Sequence, residues 1–143
     1  MEHGNRVPQV IKPEALDMNT GQTHQLNRFV AVNPEKMHMD GSSRIFFGRG
    51  MTPPHSITAP HHHAEAETAG YVLKGTIRIY FGEGFREFIT CREGDFMYVP
   101  PFCPHIEVTY DEEFIGLFAR SPENIVHNFE VDPDWVPGGP PID

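Results

Sequence analysis

Between residues 68 and 119 short apolar runs recur, each closed by glycine, proline or acidic residues. The pattern predicts strands at 68–73, 76–81, 85–90, 96–99, 105–110 and 114–119. Turns fall at Lys74-Gly75, Gly82-Glu83-Gly84 and Glu93-Gly94-Asp95, and Pro100-Pro101 stops the strand before it. Gly75, Gly82, Gly84 and Gly94 are assigned to turns needing positive φ. Ile77, Ile79, Phe96 and Ile115 are assigned to the core. Phe96 and Tyr98 share one face of their strand, and Met97 and Val99 the other. Further strands are predicted at 26–32, 44–48 and 124–131, with a loop through Asn33-Pro34 and Asp40-Gly41. The chain divides into a polar N-terminal arm (1–25) with at most one helical turn near 13–18, a β domain (26–131) and a Pro/Gly-rich tail (132–143) that is either an extended wrap or disordered.

Strands separated by turns every eight to twelve residues or so suggest a sandwich or small barrel with room for one small ligand. The length of 143 residues suits a single domain, and the 14 prolines and 13 glycines argue against a helical bundle. A net charge of −9 disfavours nucleic acid and anionic membrane as partners. No apolar stretch reaches membrane-spanning length, and residues 1–10 lack the apolar segment of a secretory leader, so a cytoplasmic protein is expected. Cys91 and Cys103 are too few for a disulfide framework and are expected as free thiols.

His61-His62-His63 stands just before the run Tyr71-Val72-Leu73, and His105 follows downstream. Imidazole is the commonest protein ligand for divalent transition metals, and residues 61 and 63 share a face if the segment is extended. His62 would then point away and is assigned to the surface, as are His3, His24, His38 and His127; His55 is assigned to a loop.

These residues resemble the cupin family of small jelly-roll barrels. Its first motif, G-x5-H-x-H-x3-4-E-x6-G, is matched by His61, His63, Glu67 and Gly75, with Gly75 one residue late and His55 at the leading glycine position. Its second motif, G-x5-P-x-G-x2-H-x3-N, is matched by Gly94, Pro100 and His105, with Phe102 and Thr109 replacing the second glycine and the asparagine. The resemblance covers roughly residues 45–120 and implies an all-β, single-domain double-stranded β-helix. It implies His61, His63 and His105 as metal ligands, joined by Glu67 as a fourth ligand or catalytic base. Counted back from Gly75, the usual glutamate position holds Thr68. Either a bulge turns Glu67 inward, or the site is three histidines. The expected cofactor is a divalent transition metal, Fe(II) first and Zn, Mn, Ni or Cu as alternatives. The expected function is dioxygenase chemistry on a small metal-chelating substrate; the alternatives are a non-redox cyclase or isomerase and a binder without turnover. Arg44, Arg49 and Arg78 are candidate anchors for an acidic substrate. The resemblance also implies a homodimer.

Overall fold

Residues 8–19, 27–33, 43–122 and 126–143 are described by the computed structural model. Their strands are β1 (Asp17–Asn19), β2 (Asn27–Val32), β3 (Phe46–Thr52), β4 (His61–His62), β5 (Glu67–Lys74), β6 (Thr76–Phe81), β7 (Glu87–Arg92), β8 (Phe96–Val99), β9 (His105–Thr109), β10 (Phe114–Ser121) and β11 (His127–Asn128). They pair into a six-stranded sheet, β1-β2-β3-β10-β5-β8, and a five-stranded sheet, β11-β4-β9-β6-β7. This is the all-β, single-domain architecture the turn spacing suggests.

Strict alternation builds the interior. Strand β10 buries Phe114, Gly116, Phe118 and Arg120 and leaves the residues between them partly exposed. The core joins Val72, Met97, Val99, Phe114 and Phe118 of the larger sheet to Ile77, Ile79 and Cys91 of the smaller. Gly70 lets the rings lie against its strand: a Cβ there would stand 2.8 Å from the Met97 Cγ and 3.1 Å from the Phe118 ring. Gly75 turns β5 into β6 at φ +81°, the left-handed region that favours glycine.

Several boundaries differ from the sequence reading. Asp17–Asn19 falls in the expected arm yet pairs with Arg28–Val30 as an edge strand. Strand β7 begins at Glu87 because Gly84 and Phe85 both take positive φ in a short 3-10 turn. Phe96 was assigned to the core, but it is 81% exposed, and it is Met97 and Val99 that point inward. Alternation gives the pairing of faces but not which face is inside. Ile115 is only partly buried. The start of the predicted strand at Leu26, the loop 34–42, His3, His24, His38 and residues 123–125 lie outside the described residues.

The tail wraps the outside of the smaller sheet. Tyr80, Ile106 and Val108 point away from the core and pack against Val131 and Trp135. Arg78 fastens this wrap by donating to the Gly138 and Pro140 carbonyl oxygens. Its guanidinium lies 4.5 Å from the Phe88 ring centroid. The Tyr80 hydroxyl donates to Gly138 O at 2.5 Å. The smaller sheet is thus covered on both faces, whereas the outer face of the larger sheet leaves Ile45, Phe47, Leu73, Phe96 and Tyr98 exposed.

Candidate metal centre

The run before the histidine triplet is irregular, yet it is pinned in place. Thr58 N donates to Glu107 O at 2.9 Å and Thr109 N to Ser56 O at 2.9 Å, so residues 56–58 run beside β9. Buried hydroxyls complete the seam: Thr58 Oγ1 accepts from Glu107 N, and Thr109 Oγ1 donates to Pro53 O at 2.7 Å. This seam delivers β4 to β9 with His61 directly opposite His105. His63 follows in a tight turn in which Ala66 N donates to His63 O and Ala64 takes φ +53°.

The result is one buried group. His61, His63 and His105 bring one possible ligand atom each within 4.8 Å of one another. Their ring centroids are 4.2 Å apart for His61 and His105 and 4.9 Å apart for His61 and His63. The tautomers of two are fixed by backbone. His61 Nδ1 lies 2.7 Å from Ala59 O, and His105 Nδ1 lies 2.8 Å from Cys103 O. A carbonyl oxygen only accepts, so Nδ1 carries the hydrogen in both rings and Nε2 keeps its lone pair. Burial, with help from His105 and Arg28, pushes His61 down to about 4, so it is neutral near pH 7. Imidazole nitrogens suit a divalent transition ion, and the three histidines could hold one.

Glu67 is not part of this group. It is exposed at the start of β5, and Thr68 beside it is buried. The register through Ser121↔Glu67 and Arg120↔Thr68 is regular, so no bulge turns Glu67 inward. Its neighbour is the Tyr98 hydroxyl at 3.5 Å on the outer face. His62 likewise faces away, beside His127 and Phe129 at 5.1 and 5.0 Å between ring centroids. His55 is exposed, 3.3 Å from Asp111. Cys91 and Cys103 are free thiols.

The carboxylate nearest the histidines in electrostatic terms is Glu107, which the sequence reading passed over. It lies two residues beyond His105 on β9. A strand repeats its face every second residue, so the signal was there. Burial pushes its carboxyl up, but His105, His61, Arg28 and Arg120 outweigh that and hold it below the usual range. Arg28 and Arg120 were also missed; both are buried. The three candidate anchors lie elsewhere. Arg44 is exposed, Arg49 sits 5.1 Å from the Phe29 ring centroid, and Arg78 is engaged by the tail.

The cupin family model matches residues 17–138. The chain belongs to the cupin family. No curated protein matches this cupin by sequence. Among solved structures it is similar to the polyketide cyclase RemF from Streptomyces resistomycificus, at TM-score 0.70 and 19% identity, covering 90% of this chain and 89% of that one. It is similar to KdgF from Halomonas sp., at TM-score 0.64 and 14% identity over 82% and 96% of the two chains. A recombinant oxalate oxidase is similar at TM-score 0.61 and 16% identity over 77% and 58%. At these identities the likeness is one of fold, and the fold carries unrelated reactions. No helix among the described residues is long and apolar enough to cross a membrane.

Proposed function

We propose that this cupin is a divalent-metal-dependent enzyme whose small organic substrate chelates the ion through an enol or enolate, with Glu107 moving the proton at the adjacent carbon. The observation that carries this reading is the placement of Glu107 two residues beyond His105 on β9, the spacing that repeats one face of a strand. When bound at His61, His63 and His105, the ion would supply Lewis-acid polarisation of the substrate oxygens. The Glu107 carboxylate takes the proton from the carbon beside the carbonyl, and the C–H electron pair moves to the carbonyl oxygen. The same carboxyl then returns the proton either to a different carbon of the enolate, completing an isomerisation, or to the alkoxide left when the enolate carbon bonds to a second carbonyl carbon of the substrate and that carbonyl's π pair moves to its oxygen, closing a ring. A carboxylate held below its usual range is a weak base, so it suits a carbon acid already acidified by chelation. The RemF likeness supports cyclisation as the outcome. The test is deuterium exchange at the substrate carbon, followed by NMR in zinc-loaded protein with acetylacetone as probe. Exchange should be lost in Glu107→Gln with metal content unchanged; retained exchange in that variant would overturn the assignment.

Oxidative cleavage with Fe(II) is the second reading, favoured by a donor group of three imidazoles with no carboxylate in it. Oxygen uptake by iron-loaded protein with the same diketone separates it from the first.

The outer face of the larger sheet is proposed as a homodimer contact. Rows such as Phe47–Ala119–Ala69–Tyr98 cross four strands side by side. An uncharged row of this kind can pack on its own copy about a two-fold axis. The opposite outer face is already covered by the tail.

A further inference from the structure

The sheet places two of the three histidines but not the third. His61 on β4 and His105 on β9 are directly paired, whereas His63 lies beyond the end of β4 and is still only 3% exposed. It is carried there by the turn over 63–66, which Ala66 N closes by donating to His63 O at 3.0 Å. The first central residue of that turn, Ala64, takes φ +53°, a conformation that turns usually give to glycine, asparagine or aspartate. Such a turn needs support from outside itself.

The support comes from the loop between β8 and β9. Its prolines, Pro100, Pro101 and Pro104, each fix their own φ and confine the residue ahead, so the loop has little freedom. Phe102 N donates to Ala64 O at 2.7 Å. The next residue, Cys103, accepts from His105 Nδ1 on its carbonyl oxygen at 2.8 Å. One stiff loop therefore holds the His63 turn with one residue and the His105 ring with the next. Phe102 itself takes φ +55°, and it stands where the second cupin motif has glycine. Two left-handed residues with side chains thus meet across a single bond, and such conformations persist only where surrounding structure holds them. His62 adds to the hold from the outer side. Its Nδ1 accepts from Ala64 N at 2.9 Å, and its ring lies 5.9 Å from the Phe102 ring between centroids.

We propose that the main-chain bond from Phe102 to Ala64 is a latch that sets His63 against His61 and His105, which makes Phe102 a positioning residue for the metal centre. This rests on the three-histidine metal reading above. With the bond made, all three imidazoles are presented together. With it broken, His61 and His105 remain paired on the sheet while His63 is released with its turn. The ion and the latch then strengthen each other by the same factor.

The test replaces Phe102 with its α-hydroxy analogue, phenyllactate, by nonsense suppression, which exchanges the N–H for an ester oxygen and keeps the ring. Zinc affinity should fall at least about tenfold, the loss seen when a group supporting a ligand is removed. The visible spectrum of the cobalt-loaded variant should move from that of the wild type toward that of His63→Ala. Phe102→Gly keeps the donor and suits the positive φ, so it should hold zinc within about twofold of the wild type. Linkage supplies a readout on the unaltered protein, which serves if the ester variant fails to fold. Zinc should slow exchange of the Phe102 amide hydrogen by at least about tenfold. Wild-type affinity and spectrum in the ester variant overturn the latch even if its melting temperature falls, because a merely structural bond acts on stability alone. Zinc loss in Phe102→Gly equal to that of the ester, or exchange at Phe102 unchanged by zinc, overturns it as well. If the wild type binds neither zinc nor cobalt, the metal reading itself fails and the latch falls with it.

Discussion

His61 and His105 face each other across the pairing of β4 with β9, their ring centroids 4.2 Å apart, and each has its Nδ1 beside a backbone carbonyl oxygen. Neither ring can turn or change tautomer without losing that bond. The pair is therefore set to offer Nε2 atoms before any ion arrives, and this preorganisation makes the ligand assignment directly testable.

His105→Ala and His61→Ala should each weaken metal affinity by more than about 100-fold, since replacing even an outer partner of a ligand costs 10- to 100-fold. Glu67→Ala should leave affinity within about twofold, because that carboxylate is on the outer surface. Metal content after dialysis against a calibrated chelator measures both. Loss of metal in Glu67→Ala would return that residue to the ligand set.

The metal-free protein should lose stability as pH falls from about 6.5 to about 4. Folded His61 is held at about 4 against 6.5 for an ordinary imidazole, so the unfolded chain binds the proton first. Stability from this group is fully present above 6.5 and declines below it, by roughly 3 kcal/mol in total. Glu107, held below the usual carboxylate range, adds to the loss in the same direction at lower pH. Urea unfolding across this range checks the slope. Bound metal should steepen it, since protons compete with the ion for the same nitrogens.

Trp135→Ala should destabilise the protein by about 2 kcal/mol, less than a fully buried tryptophan would cost, because the ring is only partly covered. It packs edge-on against Tyr80 with centroids 5.5 Å apart. Arg78→Met should lower the melting temperature similarly by releasing the Gly138 and Pro140 carbonyls. Thermal unfolding reads both, and metal content should stay constant in each, since neither side chain is among the three metal-centre histidines.

Phe96→Asp should shift a dimer to monomer in light scattering. The side chain is exposed, so a buried negative charge would be created only at an interface. An unchanged mass would remove this face from consideration as the contact.

The histidines were legible because their chemistry is rare and their spacing follows the strand period. Glu107 shares that period with His105 and was readable on the same logic; acidic residues are so common that it did not stand out. Arg28 and Arg120 could not be placed from sequence, because each sits in an apolar run where direction depends on which sheet face closes over the core. Phe96 was misassigned for the same reason, since an aromatic residue suits either face of a strand. Glu67 was drawn inward by motif position, and ordinary alternation placed it outside. By composition the tail was open between an extended wrap and disorder, and its fastening by Arg78 needs partners some sixty residues away.

The histidine-bearing sheet and the larger sheet are held apart by what lies between them, and Phe118 packed against Gly70 helps set that thickness. Swapping this ring for a smaller or larger side chain would alter the gap without touching any group that contacts a ligand. Tolerance for longer or shorter substrates can therefore drift through changes in filler residues, leaving the reactive side chains untouched.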